Sequence, residues 1–229
     1  MIVLPDGDFL HFRRISRGGG YADAVYQHSE TSSRFYGALT SWTGNGWETR
    51  LADGSRIRFP ESYNAQNMAR GAPTQILEPN GNTVLLIRDA QRNLKEIRTS
   101  EGHWIKLLYD DQARVVRAED HEQHWVTYGY NTDGMLVDVK HSDGSARRYS
   151  YVGDLLTWVR DETGRVLIHN WYRNSRVVRQ DYSNGDTYRI DYHVTGNNHY
   201  ADDATVVLST GSIRSFRTDA SVAQSLKLP

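Results

Sequence analysis

Polar and apolar positions alternate in short runs along most of this chain. Between Gly144 and Tyr151 the run Ser-Ala-Arg-Arg-Tyr-Ser-Tyr puts Tyr149 and Tyr151 on one face, the period of two that marks a half-buried β-strand. Leu107 and Tyr109, Tyr128 and Tyr130, and Ile190 and Tyr192 stand in the same relation. Turn residues follow, such as Asn131-Thr-Asp-Gly134 and Asp110-Asp-Gln-Ala113, of kinds that accept left-handed backbone or form Asx turns. A second apolar run comes next (Met135–Lys140, Ala113–Ala118), and a second turn, Asp143-Gly144 or Asp161-Glu-Thr-Gly164, closes the unit. No window of comparable length has helical spacing with caps, so the pattern predicts an all-β chain with little or no helix.

The hairpins recur at a fixed interval. Tyrosines stand at 109, 130, 151, 172 and 192, at intervals of 21, 21, 21 and 20. A second column holds Gly81, Gly102, Gly144, Gly164 and Gly185, with Gln123 in the remaining slot. About six such units give about twelve strands, nearly 60 Å of sheet at about 4.8 Å per strand, and so wide a layer curls under its own twist. The expected fold is a meander of consecutive β-hairpins forming a curved or curled antiparallel sheet, a partial shell or open barrel. Residues 81–195 carry the regular repeats. Residues 1–80 read as divergent copies, in which Asp6-Gly7 precedes Phe12 as Asp53-Gly54 precedes Phe59 and Asp143-Gly144 precedes Tyr149. Their irregular loops are Gly18–Gly20 and Pro60–Pro73. Residues 196–229 read as a C-terminal hairpin (Ala204–Leu208 with Ser212–Phe216) and a tail.

Composition narrows the function. Lys and Arg number 27 against 28 Asp and Glu, so neither sign dominates and the electrostatic footprint of a nucleic-acid binder is missing. There is no cysteine, which excludes disulfides, thiolate metal sites and cysteine catalysis. No apolar run approaches the length of a membrane span, so membrane insertion is not expected. The start lacks the basic and apolar regions of a signal peptide, and the chain can equally be a piece of a longer one. Fourteen Tyr and six Trp against five Phe suit surfaces that are half buried and half wet.

Candidate chemistry is sparse. His121-Glu-Gln-His124 has its histidines at i, i+3 in a predicted turn, whereas a helical zinc motif needs i, i+4; it reads as a solvated hairpin tip. His193, His199 and Asp202-Asp203 read as a polar loop. Asp110-Asp111 and Asp161-Glu162 have the residue types of a glycosidase pair, but they recur at the turn position and read as Asx caps. No nucleophile elbow or phosphate loop occurs. No catalytic, metal or cofactor site is expected. The tyrosine column (Tyr109, Tyr130, Tyr151, Tyr172, Tyr192) reads as a structural ladder between hairpins. Trp104, Trp125 and Trp158 are the candidates for contact with a sugar or a partner chain.

The segment Tyr128-Gly-Tyr-Asn-Thr-Asp-Gly-Met-Leu-Val-Asp-Val139 resembles the YD repeat of Rhs proteins, Tyr-x-Tyr-Asp-x-x-Gly-Arg-Leu-x-x-Val. Leu107–Asp120 resembles it with Ala113 in place of the turn glycine, and Tyr149–Asp161 with a turn one residue shorter. The resemblance covers roughly residues 81–195. It implies a hollow shell wound from such repeats, as in Rhs proteins, toxin-complex cocoons and teneurins, and an exported or cell-surface location. It also implies a polypeptide partner: a toxin, another cargo domain or further shell. Some Rhs proteins cleave themselves at an Asp-Pro-x-Gly motif; Glu78-Pro-Asn-Gly81 has Glu in place of Asp and lies early in the repeats, so that role is not carried over. The expected function is a non-enzymatic shell segment that shields or presents another polypeptide. The alternative is a carbohydrate- or cell-surface-binding β module.

Overall fold

A computed structural model describes residues 2–3, 9–30, 33–63, 68–193 and 203–217. Asp6-Gly7, His199, Asp202 and the tail from 218 lie outside the described residues. The chain divides into two compact units, Met1–Trp125 and Val126–Pro229. Among the described residues there is no α-helix, only a 3-10 turn at Met68–Gly71.

In the first unit β1 (Ile2–Val3) pairs with β2 (Phe9–Leu10). A meander follows: β3 (Arg13–Arg14), β4 (Val25–Gln27), β5 (Leu39–Trp42), β6 (Gly46–Arg50), β7 (Arg56–Pro60), β8 (Gln75–Leu77), β9 (Thr83–Arg88), β10 (Leu94–Thr99), β11 (Trp104–Tyr109) and β12 (Val115–Asp120). Each of these pairs antiparallel with the next. The second unit continues the pattern from β13 (Trp125–Tyr130), within which the unit boundary falls. β14 (Leu136–His141), β15 (Ala146–Val152), β16 (Leu155–Asp161), β17 (Val166–Arg173), β18 (Arg176–Tyr182), β19 (Thr187–His193), β20 (Asp203–Val207) and β21 (Ile213–Arg217) follow. Here too neighbours in sequence are neighbours in the sheet.

Register gives the sheet two chemically different faces. In the first unit Ile57 stands opposite Ile76, Ile76 opposite Val84, Leu86 opposite Ile97 and Ile97 opposite Ile105. The alternate positions set Glu48 against Arg58, Glu96 against Lys106 and Lys106 against Glu119. In the second unit Tyr149 faces Val159, and Val159 faces Ile168. Leu10, Phe35, Ala38 and Ile57 form a buried cluster with Phe12, Leu51 and Phe59 packed on it. The second unit buries only Val139, Ala146 and Val159 among its described hydrophobics. Its stability therefore accumulates through cross-strand pairs, each worth roughly 0.2–1 kcal/mol.

Candidate functional site

The repeat is the site, and its geometry grows from the turn. Five hairpins begin their turns with Asp89, Asp110, Asp120, Asn131 or Asp161. In each, the side-chain Oδ1 accepts the backbone N–H four residues on, at 2.8–3.0 Å. The backbone N–H of the same residue donates to the carbonyl of that fourth residue. Closing so short a loop forces left-handed backbone three residues after the acid. Arg92, Ala113, Gln123, Gly134 and Gly164 have φ between 59° and 87°. The backbone N–H of Arg114 and its guanidinium hold Asp110 below the usual carboxylate range. Asp110 and Asp161, the first acid of each pair, are thus turn caps, whereas Glu162 accepts from the Ala146 N–H of the preceding hairpin. Gln123, standing in the glycine column, has φ 70°.

The tyrosine column marks a second device. Tyr109, Tyr130, Tyr151 and Tyr172 each stand immediately after a register shift in the pairing with the following strand. The partner strand carries one extra residue there: Val116, Val137, Thr157 or Val178. Such a bulge takes one residue out of the regular ladder. The tyrosine of the next hairpin reaches back to it. Tyr151 Oη donates to the Leu136 carbonyl at 2.8 Å, and Tyr172 Oη to the Leu156 carbonyl at 2.7 Å. Tyr109 Oη donates in the same way to Leu94, at the β9–β10 bulge, at 2.8 Å. Burial pushes the phenols of Tyr109 and Tyr151 up. Tyr192 departs from the pattern. Its strand pairs with β20 without a shift, and the Arg176 guanidinium lies 5.7 Å from its ring centroid.

The three tryptophans lie on half-buried positions, each beneath a cation. Lys106 Nζ is 4.0 Å from the Trp104 ring centroid, Arg117 is 5.0 Å from Trp125 and Arg160 is 5.0 Å from Trp158. His169 stacks on Trp158 at 3.5 Å and 9°, and its other neighbour is Trp171 at 4.2 Å. Strand alternation alone does not bring Trp158, His169 and Trp171 together. Only knowledge of the β16–β17 register, which sets Trp158 opposite His169, does so.

At the 120–124 tip, ligand-type atoms of Asp120, Glu122 and His124 lie within 4.8 Å of one another. Asp120 Oδ1 accepts two backbone N–H groups and Oδ2 lies 3.0 Å from His124 Nδ1, so this carboxylate is occupied by its turn. Glu78–Gly81 is an ordinary hairpin turn, with the Gly81 N–H donating to the Glu78 carbonyl. His193 and Asp203, expected in a polar loop, instead stand opposite each other in the β19–β20 ladder, with His193 Nδ1 2.6 Å from Asp203 Oδ1.

This geometry defines an all-β repeat protein whose unit is a bulged hairpin tied to its neighbour by a tyrosine hydroxyl. No family model and no curated protein matches the chain. Solved structures do. A crystal structure of TcdB2-TccC3-Cdc42 overlays 80% of this chain with TM-score 0.46 and 13% identity. One of TcdB2-TccC3-TEV overlays 85% with TM-score 0.39 and 10% identity. The chain spans 11% and 15% of the length of those two chains.

Proposed function

We propose that this chain is a non-enzymatic wall segment of the YD-repeat kind, which shields or presents another polypeptide such as a toxin. One observation carries the reading. The recurring residues of the unit, the turn acid, the left-handed slot and the column tyrosine, all take part in turn or bulge geometry. A sequence that repeats only its structural parts is selected for extent of surface, as in other repeat proteins. On this reading residues 1–80 form the divergent start of the wall, 81–195 its regular part, and 196–229 a closing hairpin and tail.

The test is co-expression of the chain with the polypeptide encoded by the continuation of its reading frame or beside it. Co-elution of the two through size exclusion is the expected result. Sugar recognition through Trp104, Trp125 and Trp158 would replace this reading if the two fail to co-elute while a glycan array binds the chain and loses it on Trp→Ala replacement.

A further inference from the structure

On the charged face of the second unit, two pairs of arginines stand directly opposite each other across neighbouring strands: Arg148 with Arg160, and Arg179 with Arg189. Like charges placed so destabilise a sheet, and the acids at hand do not neutralise them all. Asp138 is shared between Lys140 at 3.0 Å and Arg148 at 3.9 Å. Asp181 accepts from Arg179, from Trp171 Nε1 and from Thr187 Oγ1. Among the described residues Arg160 reaches only the Ser150 hydroxyl and the Trp158 ring. Arg189 is exposed and, among the described residues, no acid pairs with it, although Asp191 lies two residues on along the same face.

Between the two arginine pairs, on the same face, lie Trp158, His169 and Trp171, the histidine ring in contact with both indoles, with Trp171 48% exposed. The pairs are three strand spacings apart and offset by about four residues along the strands, roughly 20 Å on the diagonal. That is the reach of about six residues of extended chain.

We propose that this strip holds an extended acidic segment of a partner polypeptide, its carboxylates on the two arginine pairs and an aromatic or apolar residue on the tryptophans. Guanidinium forks suit carboxylates in bidentate geometry, and an anion over each pair relieves the like-charge repulsion that the sheet otherwise carries. A polypeptide is favoured over nucleic acid because the chain as a whole has a formal charge of −1 and lacks the broad positive field that polyanion binding uses. The inference rests on the wall reading and names the chemistry of what the wall holds.

The test is a titration of the full chain, followed by tryptophan fluorescence, with a blocked peptide carrying two Glu pairs about six residues apart around a Phe-Phe centre. Controls are a Lys-for-Glu version of the peptide and a single-stranded oligonucleotide of equal charge. Saturable binding of the Glu peptide, weakened tenfold or more in the Arg160→Gln/Arg189→Gln variant and unchanged in Arg98→Gln, is expected. Equal binding of the Lys peptide, tighter binding of the oligonucleotide, no binding at all, or indifference to the arginine variant overturns the proposal. Circular dichroism of each variant confirms that it folds. If the co-expressed polypeptide still co-elutes with the arginine variant, this inference fails and the wall reading stands; if it never co-elutes, the wall reading fails.

Discussion

The hydroxyl of Tyr151 donates to the main-chain carbonyl of Leu136, at the bulge of the hairpin before its own. Tyr172 makes the equivalent bond to Leu156, but there the side-chain amide of Asn170 also donates to the same carbonyl, at 2.9 Å. The two ties therefore differ in what remains when the phenol oxygen is removed. Tyr151→Phe leaves a carbonyl without that partner and is expected to cost about 1 kcal/mol. Tyr172→Phe leaves Asn170 in place and costs less. Urea unfolding of the two variants, with unchanged m-values, checks the order; the reverse order would show that the ties are not what these tyrosines contribute.

Left-handed positions held by residues other than glycine carry a second expectation. Ala113 and Gln123 hold φ of 59° and 70° where sister hairpins have glycine. Relief of left-handed strain is worth about 1–2 kcal/mol, partly offset by the entropy of glycine. Ala113→Gly and Gln123→Gly should each stabilise the fold by about 0.5–1 kcal/mol, seen as a rise in Tm.

Glycine is used for another reason in the first unit. Gly144, at φ 89°, has open space where a Cβ would stand, so Gly144→Ala meets only the net backbone penalty of about 0.5–1 kcal/mol. At Gly46 a Cβ would collide with the Phe59 carbonyl across the β6–β7 pair. That clash is with main chain and cannot be relieved by a rotamer, so Gly46→Ala should lower Tm further than Gly144→Ala in parallel melts.

Two histidines titrate on opposite sides of the ordinary imidazole value. Burial, against the rings of Trp158 and Trp171, pushes His169 down, while the Asp120 carboxylate raises His124. The lowered group binds fewer protons folded than unfolded. Its contribution is present above the unfolded value of about 6.5 and is lost as pH falls through the folded value. The raised group behaves oppositely: its pairing contributes below about 6.5 and is lost as pH rises through the folded value. NMR titration of the ring protons should place His169 below and His124 above that value. His169→Phe should flatten the acid side of the stability profile.

Much of this was legible in the chain because a tight turn constrains side-chain type. The Asp-x-x-Gly spacing follows from the Asx cap and the left-handed slot, and the tyrosine interval from one hairpin per period. The bulges were not legible, since Val137 and Thr157 become extra residues only when two strands choose a register. The acceptors of the ties were hidden as well, because Leu94, Leu136 and Leu156 offer main-chain carbonyls that leave no mark on side-chain identity. The cations over Trp104 and Trp158 sit at i+2 and could have been read from Trp-x-Lys and Trp-x-Arg; Arg117 over Trp125 could not. The first unit was the least legible, with strands of two to five residues over β1–β8 that are too short to show a period.

Protection from protease is the measurement that bears most directly on the wall. The polypeptide encoded beside or after this chain, digested alone and in the co-expressed state, should be cut slowly in the presence of the intact sheet. Its rate should return to that of the free polypeptide when Tyr109, Tyr151 and Tyr172 are replaced together by Ala. Equal cleavage rates with and without the folded chain would contradict the account.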